Sequence, residues 1–140
     1  MKNITDREES VLHDKIIGAS LPSTQALAYL GDAAYSLFVR RMLIERGLAK
    51  AKDLNREALK YVTAEAQAQM YRRIEHLLLE DEVEVFRRAA NSTHLNRPKH
   101  ASVTDYRYAT GFEAVIGMLF WIKDEERLEQ LLRAAHKEEE

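Results

Sequence analysis

The sequence predicts an all-α protein that forms one domain. Apolar residues recur every three or four positions along nearly the whole chain, and no segment alternates apolar and polar residues as a strand does. Only 5 glycines and 2 prolines interrupt the pattern, and 140 residues with a hydrophobic fraction of 46% suit a single core. The absence of cysteine excludes disulfides, thiolate nucleophiles and cysteine-bound zinc.

The first twenty residues are expected to be a polar helical extension. Thr5 and Glu8 have the spacing of a capping box, which predicts a short helix that ends near Ile17. Residues 18–22 then break the pattern. This start lacks the apolar stretch of a secretory signal, and the longest apolar run of the chain has nine residues, short of the ~20 of a spanning helix. We therefore expect a soluble, cytoplasmic protein.

A long second helix follows the break. Ser23 or Thr24 can cap it, and Arg46 is expected to be its last residue because Gly47 is a stop signal. Its buried face is predicted from spacings of three and four residues: Leu27, Leu30, Ala34, Leu37, Arg41 and Ile44.

Three shorter helices come next, over residues 51–61, 63–77 and 80–90. The threonine at position 63 is a plausible cap for the middle one. Each helix has one side in register for burial: Leu54, Ala58 and Tyr61; Gln67, Met70, Ile74 and Leu77; Val83, Phe86 and Ala90.

Residues 91–103 are predicted to form a loop, because the helical period stops there and the segment contains Pro98. A loop of this length in a helical domain is often functional. It carries Asn, Ser, Thr, His, Arg and Lys but no acid, and such groups donate readily to phosphate. The alternative is a plain surface loop.

Ser102 or Thr104 restarts a helix that runs to Trp121. Residues 114–121 are apolar on nearly all sides, so we expect a second subunit to cover this helix. Five aromatic residues of this helix are interpreted as core or dimer contacts: Tyr106, Tyr108, Phe112, Phe120 and Trp121.

The seventh and last helix begins at Asp124 or Glu125. Its expected buried residues are Leu128, Leu131, Leu132 and Ala135. The final five residues, HKEEE, are expected to fray.

The net charge of −2 conceals two basic segments. Residues 40–60 carry seven basic and three acidic side chains, and residues 86–108 carry five and one. Two such blocks in a near-neutral chain could form one positive face for phosphates. The alternative is ordinary solvated helix surface.

Two carboxylates stand in unusually apolar surroundings. Asp32 lies in the middle of ALAYLGDAAYSLFV, and Glu113 lies in ATGFEAVIGMLFWI. An ionised carboxylate in such a place needs a partner, because burying it alone costs several kcal/mol or more. Small neighbours would let the two helices approach closely and bring the acids to one site: Gly31, Ala33 and Ala34; Gly111, Ala114 and Gly117.

Two interpretations of these acids stay open on the residues alone. The pair could hold a hard cation such as Mg²⁺, which takes one or two carboxylates plus water and phosphate oxygens. Alternatively each acid could form a buried ion pair with an arginine such as Arg40 or Arg107. No phosphate-binding glycine loop or paired histidines offer another site.

The two acidic segments are where a family resemblance appears. ALAYLGDAAYSLFVR resembles the signature helix of the ribonuclease III domain, and YRYATGFEAVIGMLF resembles its second acidic helix. With PKHASVTDYRYATGFEAVIG, the chain looks most like the Mini-III subgroup of bacterial ribonucleases. The resemblance covers nearly the whole chain, with both motifs in the expected order, and implies a catalytic domain over residues 21–137.

The resemblance implies an all-helical homodimer that cleaves double-stranded RNA with Mg²⁺, leaving 5′-phosphate and 3′-hydroxyl ends. Asp32 and Glu113 match the family's metal-binding acids and would be the catalytic pair. The implied substrate is precursor large-subunit (23S) ribosomal RNA, with a ribosomal protein as a helper. In the absence of a double-stranded RNA-binding domain, the expected RNA-binding residues are Arg87, Arg88, Asn91, Ser92, Arg97 and Lys99.

The sequence departs from the wider family at three positions. Ala28 and Gln25 stand where that family has two further acids before Asp32, and Thr110 stands where it has an acid before Glu113. The Mini-III subgroup shares this sparse pattern. A non-catalytic dimer that binds RNA or ribosomal particles is the competing hypothesis, and retention of both acids favours the enzyme.

Overall fold

The computed structural model describes residues 21–92 and 101–137. The polar helix expected within residues 1–20 lies outside these ranges, as do Arg97 and Lys99. The described residues contain six helices and no strand, so the all-α prediction is confirmed. The helices are α1 (Thr24–Glu45), α2 (Ala51–Val62), α3 (Ala64–Ile74), α4 (Glu80–Asn91), α5 (Val103–Trp121) and α6 (Glu125–Ala135), with one 3₁₀ turn at Glu75–Leu77.

Side-chain caps begin four of these helices. The oxygens of Ser23, Thr63, Ser102 and Asp124 each accept a hydrogen bond from the backbone N–H three residues further on, at 3.0–3.2 Å. Each cap satisfies one of the free N–H groups of a first helical turn. The sequence therefore placed these helix starts correctly.

Helix α5 is the centre of the domain. It packs against α1, α3, α4 and α6, and every residue from Ala114 to Leu119 is buried by them. The expectation that residues 114–121 need a second subunit to cover them is therefore wrong for most of the segment. Only Phe120 and Trp121, at its end, are about half exposed. No described helix is both long and apolar enough to cross a membrane.

Helix α1 turns a different face to the core than its periodicity predicted. Leu37 and Ile44 are 64% and 60% exposed, whereas the following residues are buried: Leu27, Ala28, Gly31, Tyr35, Val39 and Leu43. This helix is apolar on two sides. The side with Ala28 and Gly31 faces α5 because small residues permit the closer approach of two backbones.

A buried ion pair joins α4 to α6. Glu82 is 0% exposed, and its two carboxylate oxygens accept hydrogen bonds from Arg127 at 2.8 and 2.9 Å. Glu82 also accepts from the backbone N–H of Leu79, and Arg127 donates to the carbonyl of Leu77 at 2.8 Å. Because every charged atom of the pair has a partner, these charges can remain inside the fold.

His136 does not fray, contrary to the expectation for the last five residues. It is 4% exposed, its Nε2 lies 3.3 Å from the hydroxyl oxygen of Tyr35, and its ring lies 5.4 Å from that of Tyr61. Burial, followed by the charges of Arg46 and Arg73, lowers the pKa of His136 from 6.5 to about 4. The imidazole is therefore neutral and fixes the end of α6 to the core.

Candidate active site

The crossing of α1 and α5 brings the two sequence-predicted acids together. A Cβ on Gly31 would overlap the carbonyl oxygen of Glu113 and lie 2.8 Å from the nitrogen of Gly117. A Cβ on Gly117 would in turn overlap the carbonyl oxygen of Leu27. The two backbones are thus in direct contact, and Asp32 is the residue next to this contact on α1.

The carboxyl groups of Asp32 and Glu113 are within hydrogen-bonding contact. Asp32 is exposed, whereas Glu113 is partly buried. The pKa of Glu113 rises from 4.5 to about 9 because of burial first, then the hydrogen bond to Asp32 and its negative charge. Near neutral pH the carboxyl group of Glu113 therefore holds its proton.

The ion-pair interpretation finds no support in the described residues. None of their arginine or lysine side chains forms a salt bridge with Asp32 or Glu113. Arg40 instead approaches the hydroxyl group of Ser36, at 3.5 Å. The sequence also suggested an apolar setting for both acids, but Asp32 reaches solvent because it lies at the edge of the helix crossing.

The paired carboxyl groups suit a hard divalent cation. Asp32 is exposed, so a cation can reach it from solvent, and Glu113 holds a proton that the cation would displace. Within residues 21–92 and 101–137 there is no group of three or more His, Cys, Asp or Glu side chains that could hold a metal. An ion here would take two carboxylates and complete its shell with water and substrate oxygens, which is the usual pattern of Mg²⁺.

Gln67 is a third polar side chain at this site; the sequence predicted that it is buried but gave it no part in the site. It lies in the first turns of α3, is 2% exposed, and is close enough to the Glu113 carboxyl group to lower its pKa. The signal in the sequence was its position, because Gln67 occupies a register otherwise filled by Met70 and Ile74. A polar residue in a buried register needs a specific partner.

The similarity of this chain to known proteins includes the two segments that carry the acids. The sequence pattern of the ribonuclease III domain matches residues 25–124, which include Asp32, Gln67 and Glu113. The chain belongs to the ribonuclease III domain family.

Relatives within this family have the same size range. The chain is 46% identical to a Mini-ribonuclease 3 from Symbiobacterium thermophilum over 109 residues, which cover 78% of this chain and 84% of the relative. It is 43% identical to a Mini-ribonuclease 3 from Streptococcus pneumoniae over 119 residues, covering 84% and 93%. Among solved structures, a protein from Fusobacterium nucleatum is similar, with a TM-score of 0.75, 30% identity and coverage of 84% and 94%.

The residues expected to bind RNA in this ribonuclease III domain lie partly at the end of α4. Arg87 and Arg88 are exposed and share the carboxylate of Glu84, with contacts of 2.9 Å. Asn91 and Ser92 are exposed at the end of the helix, and the Ser92 hydroxyl donates to a backbone carbonyl. The structure thus groups these four residues with one another, and their role stays a prediction.

A shallow groove separates α4 from the start of α5. Tyr71, which lines it, stacks on Phe86 with ring centroids 3.9 Å apart, and both rings lie nearly perpendicular to the ring of Tyr108. Tyr108 thus makes a core contact. The sequence had left open whether it makes a core contact or a dimer contact. The remaining lining is mainly polar: Arg87, Asn91, Thr104 and Arg107, with Val83 and Ala90. Arg107 therefore belongs with the predicted RNA-binding residues and not with the acids.

Proposed function

We propose that this protein is a Mg²⁺-dependent endoribonuclease that cleaves double-stranded RNA and leaves 5′-phosphate and 3′-hydroxyl ends. The contact between the carboxyl groups of Asp32 and Glu113 carries the proposal. Family membership and the name of the relatives support the ribonuclease chemistry. Residues 21–137 are the proposed catalytic unit.

The two acids have different tasks in this proposal. Both would be ligands of Mg²⁺, which supplies charge stabilisation at the scissile phosphate and an activated water. Asp32 is exposed, so it faces the side from which the RNA backbone approaches. Glu113 is partly buried, so it fixes the position of the site within the fold and must release its proton to become a ligand.

The decisive experiment replaces each acid by its amide. Asp32→Asn and Glu113→Gln should each reduce cleavage of a structured RNA by about 10²–10³-fold, because each removes one proposed metal ligand. Glu129→Gln is the matched control, since Glu129 is an exposed carboxylate on α6. If either site variant cut RNA at the wild-type rate in Mg²⁺, the proposed role of that acid would be wrong.

RNA binding is proposed to depend on Arg87, Arg88, Asn91 and Ser92, together with Arg97 and Lys99. These groups would contact phosphates, and double-stranded RNA would be recognised mainly by shape and backbone. Replacing Arg87 by alanine should weaken binding similarly for RNAs of different sequence and reduce the salt dependence by about one unit of slope. An unchanged salt dependence would exclude Arg87 from the RNA contact.

A homodimer is proposed to form through the exposed side of α1. Five apolar residues share this stripe, and Tyr29 is 85% exposed. They are Ala26, Tyr29, Ala33, Leu37 and Ile44. An apolar helix face of this length is typical of an interface between proteins.

The mass of the protein in solution tests this interface. Tyr29→Glu should convert a dimer into a monomer in light scattering coupled to size exclusion. Leu59→Glu should not, since Leu59 is 61% exposed but lies on α2. A wild-type protein that is monomeric at all concentrations would contradict the proposed dimer.

The proposed substrate is precursor large-subunit ribosomal RNA, cleaved in the cytoplasm with a ribosomal protein as a helper. The test is to map the RNA ends produced with and without Mg²⁺, and with and without ribosomal proteins. Discrete ends that need Mg²⁺ would support this substrate. RNA binding without any cleavage would favour a non-catalytic RNA-binding dimer.

A further inference from the structure

The side chain of Gln67 is buried at the junction of α2 and α3. It is 2% exposed, in the first turns of α3 after the cap at Thr63. Its neighbours Ala66 and Ala68 on the same helix are also buried. Burying an amide costs free energy unless its hydrogen bonds are replaced, so the contacts that it makes are specific ones.

Those contacts fix which way the amide points. Its Nε2 donates to the carbonyl oxygen of Val62 at 3.4 Å, and the amide also lies near the Glu113 carboxyl group, whose pKa it lowers. The flipped amide would place its oxygen against the Val62 carbonyl, where two acceptors repel each other. The end of α2 therefore makes Gln67 present an N–H group, rather than its oxygen, to Glu113.

This contact connects a third helix to the acidic pair. Asp32 belongs to α1 and Glu113 to α5, and the backbone contact at Gly31 and Gly117 sets only the spacing of these two helices. The rotation of the Glu113 carboxyl group is left to its side-chain partners. Gln67 is the neutral donor among them, and it stabilises the ionised form of the acid.

We infer that Gln67 is a positioning residue, which holds the Glu113 carboxylate in the orientation that lets it bind the divalent cation together with Asp32. The inference rests on the proposed function. Partners that orient metal ligands from behind typically change metal affinity or activity by about 10–100-fold when they are removed. Gln67 would act only through Glu113 and would not touch the RNA.

The test replaces Gln67 by leucine, which is close in size but cannot donate, with Gln69→Leu as the matched control. Gln69 is exposed on the same helix. In Gln67→Leu, the Mg²⁺ concentration for half-maximal cleavage should rise by about 10–100-fold, and excess Mg²⁺ should restore most of the rate. Binding of Mn²⁺ without RNA, followed by electron paramagnetic resonance, should weaken by a similar factor. RNA affinity measured in Ca²⁺ should stay within about threefold, and Gln69→Leu should match the wild type.

Gln67→Met gives a second variant in case leucine does not fold, and circular dichroism checks both. A purely structural role predicts a loss of rate that excess Mg²⁺ does not repair. That result, or wild-type Mn²⁺ binding by a folded Gln67 variant, would overturn the inference. If Asp32→Asn abolished cleavage while the Gln67 variants behaved as wild type, only the inferred role of Gln67 would be wrong, and the proposed function would stand. If the wild-type protein neither cleaved RNA nor bound Mn²⁺, the proposed function would fall with it.

Discussion

Gly31 and Gly117 lie against each other where α1 crosses α5. A Cβ on Gly31 would stand 2.8 Å from the nitrogen of Gly117, and a Cβ on Gly117 would stand 3.0 Å from the nitrogen of Gly31. Contacts this short leave no room for a side chain at either of these two positions. The residues beside this contact, Asp32 and Glu113, consequently come within hydrogen-bonding distance of each other.

Alanine at either glycine of this crossing should destabilise the protein by about 1–3 kcal/mol or more, because the added methyl group meets backbone that cannot move alone. Helix propensity would by itself favour alanine by roughly 0.5–1 kcal/mol, so a loss isolates the packing effect. The measurement is the free energy of unfolding from urea titration of Gly31→Ala and Gly117→Ala.

Gly111→Ala provides the comparison within α5. Its Cβ would meet the ring of Phe86, a side chain that can shift, rather than backbone. We expect a smaller loss than at Gly31 or Gly117. Equal losses at all three glycines would show that the backbone contact is not the determinant.

Glu113→Gln should stabilise the metal-free protein while it reduces cleavage by about 10²–10³-fold. The folded protein keeps the Glu113 proton up to a pKa of about 9, whereas the unfolded chain releases it near 4.5. The associated stability is complete below pH 4.5 and is lost as the pH rises towards 9. At pH 8 the variant should therefore be more stable than the wild type by roughly 1–3 kcal/mol.

Thermal unfolding in chelator at pH 5 and pH 8 measures this difference, which should grow with pH. Mg²⁺ should raise the melting temperature of the wild type but not of Glu113→Gln. Glu65→Gln on the exposed side of α3 controls for the loss of a carboxylate. If the difference in melting temperature between the wild type and Glu113→Gln did not change with pH, the raised pKa of Glu113 would be contradicted.

Removing one partner of the buried Glu82–Arg127 pair should cost about 3–5 kcal/mol of unfolding free energy, because a charge is left without its counterion. Arg127→Met tests this by urea unfolding, and Glu82→Met in the same chain should recover much of the loss. Arg133→Met, which breaks an exposed pair with Glu129, should cost less than about 1 kcal/mol. A small effect of Arg127→Met would mean that water reaches Glu82.

His136 should make the protein sensitive to mild acid. The unfolded chain takes up a proton near pH 6.5, whereas the folded protein holds His136 neutral down to about pH 4. Its contribution is therefore complete above pH 6.5 and is lost as the pH falls from 6.5 towards 4.

Between pH 7.5 and pH 5 the wild type should lose about 1–2 kcal/mol more unfolding free energy than His136→Leu. His76→Leu, at an exposed histidine in the 3₁₀ turn, should keep the wild-type pH dependence. If His136→Leu and the wild type lost stability in parallel, His136 would not be the source of the acid sensitivity.

Local signals in the sequence were sufficient for the helices. The period of three to four residues, with caps such as Ser23 and Ser102, located all six described helices to within a few residues. These signals act over one or two turns, so no knowledge of the tertiary fold is needed to interpret them. The pair of acids was also visible, because Asp32 and Glu113 each interrupt an apolar segment flanked by small residues.

The sequence alone did not determine which face of a helix is buried. Helix α1 has two apolar sides, and only the position of α5 decided that Tyr35 is buried while Leu37 is exposed. The same holds for residues 114–119, which looked like an interface but are covered by the chain itself. Periodicity measures how apolar a face is, and the identity of the neighbouring helix depends on contacts far apart in sequence.

The sequence by itself determined the helices, the absence of cysteine chemistry and the acids Asp32 and Glu113. The tertiary structure decided that these acids touch, that Gln67 lies beside one of them, and that Glu82 pairs with Arg127. Helix signals are local, whereas each of these contacts joins residues more than 40 positions apart. Such contacts depend on the packing of all six described helices at once, which no window of the sequence contains.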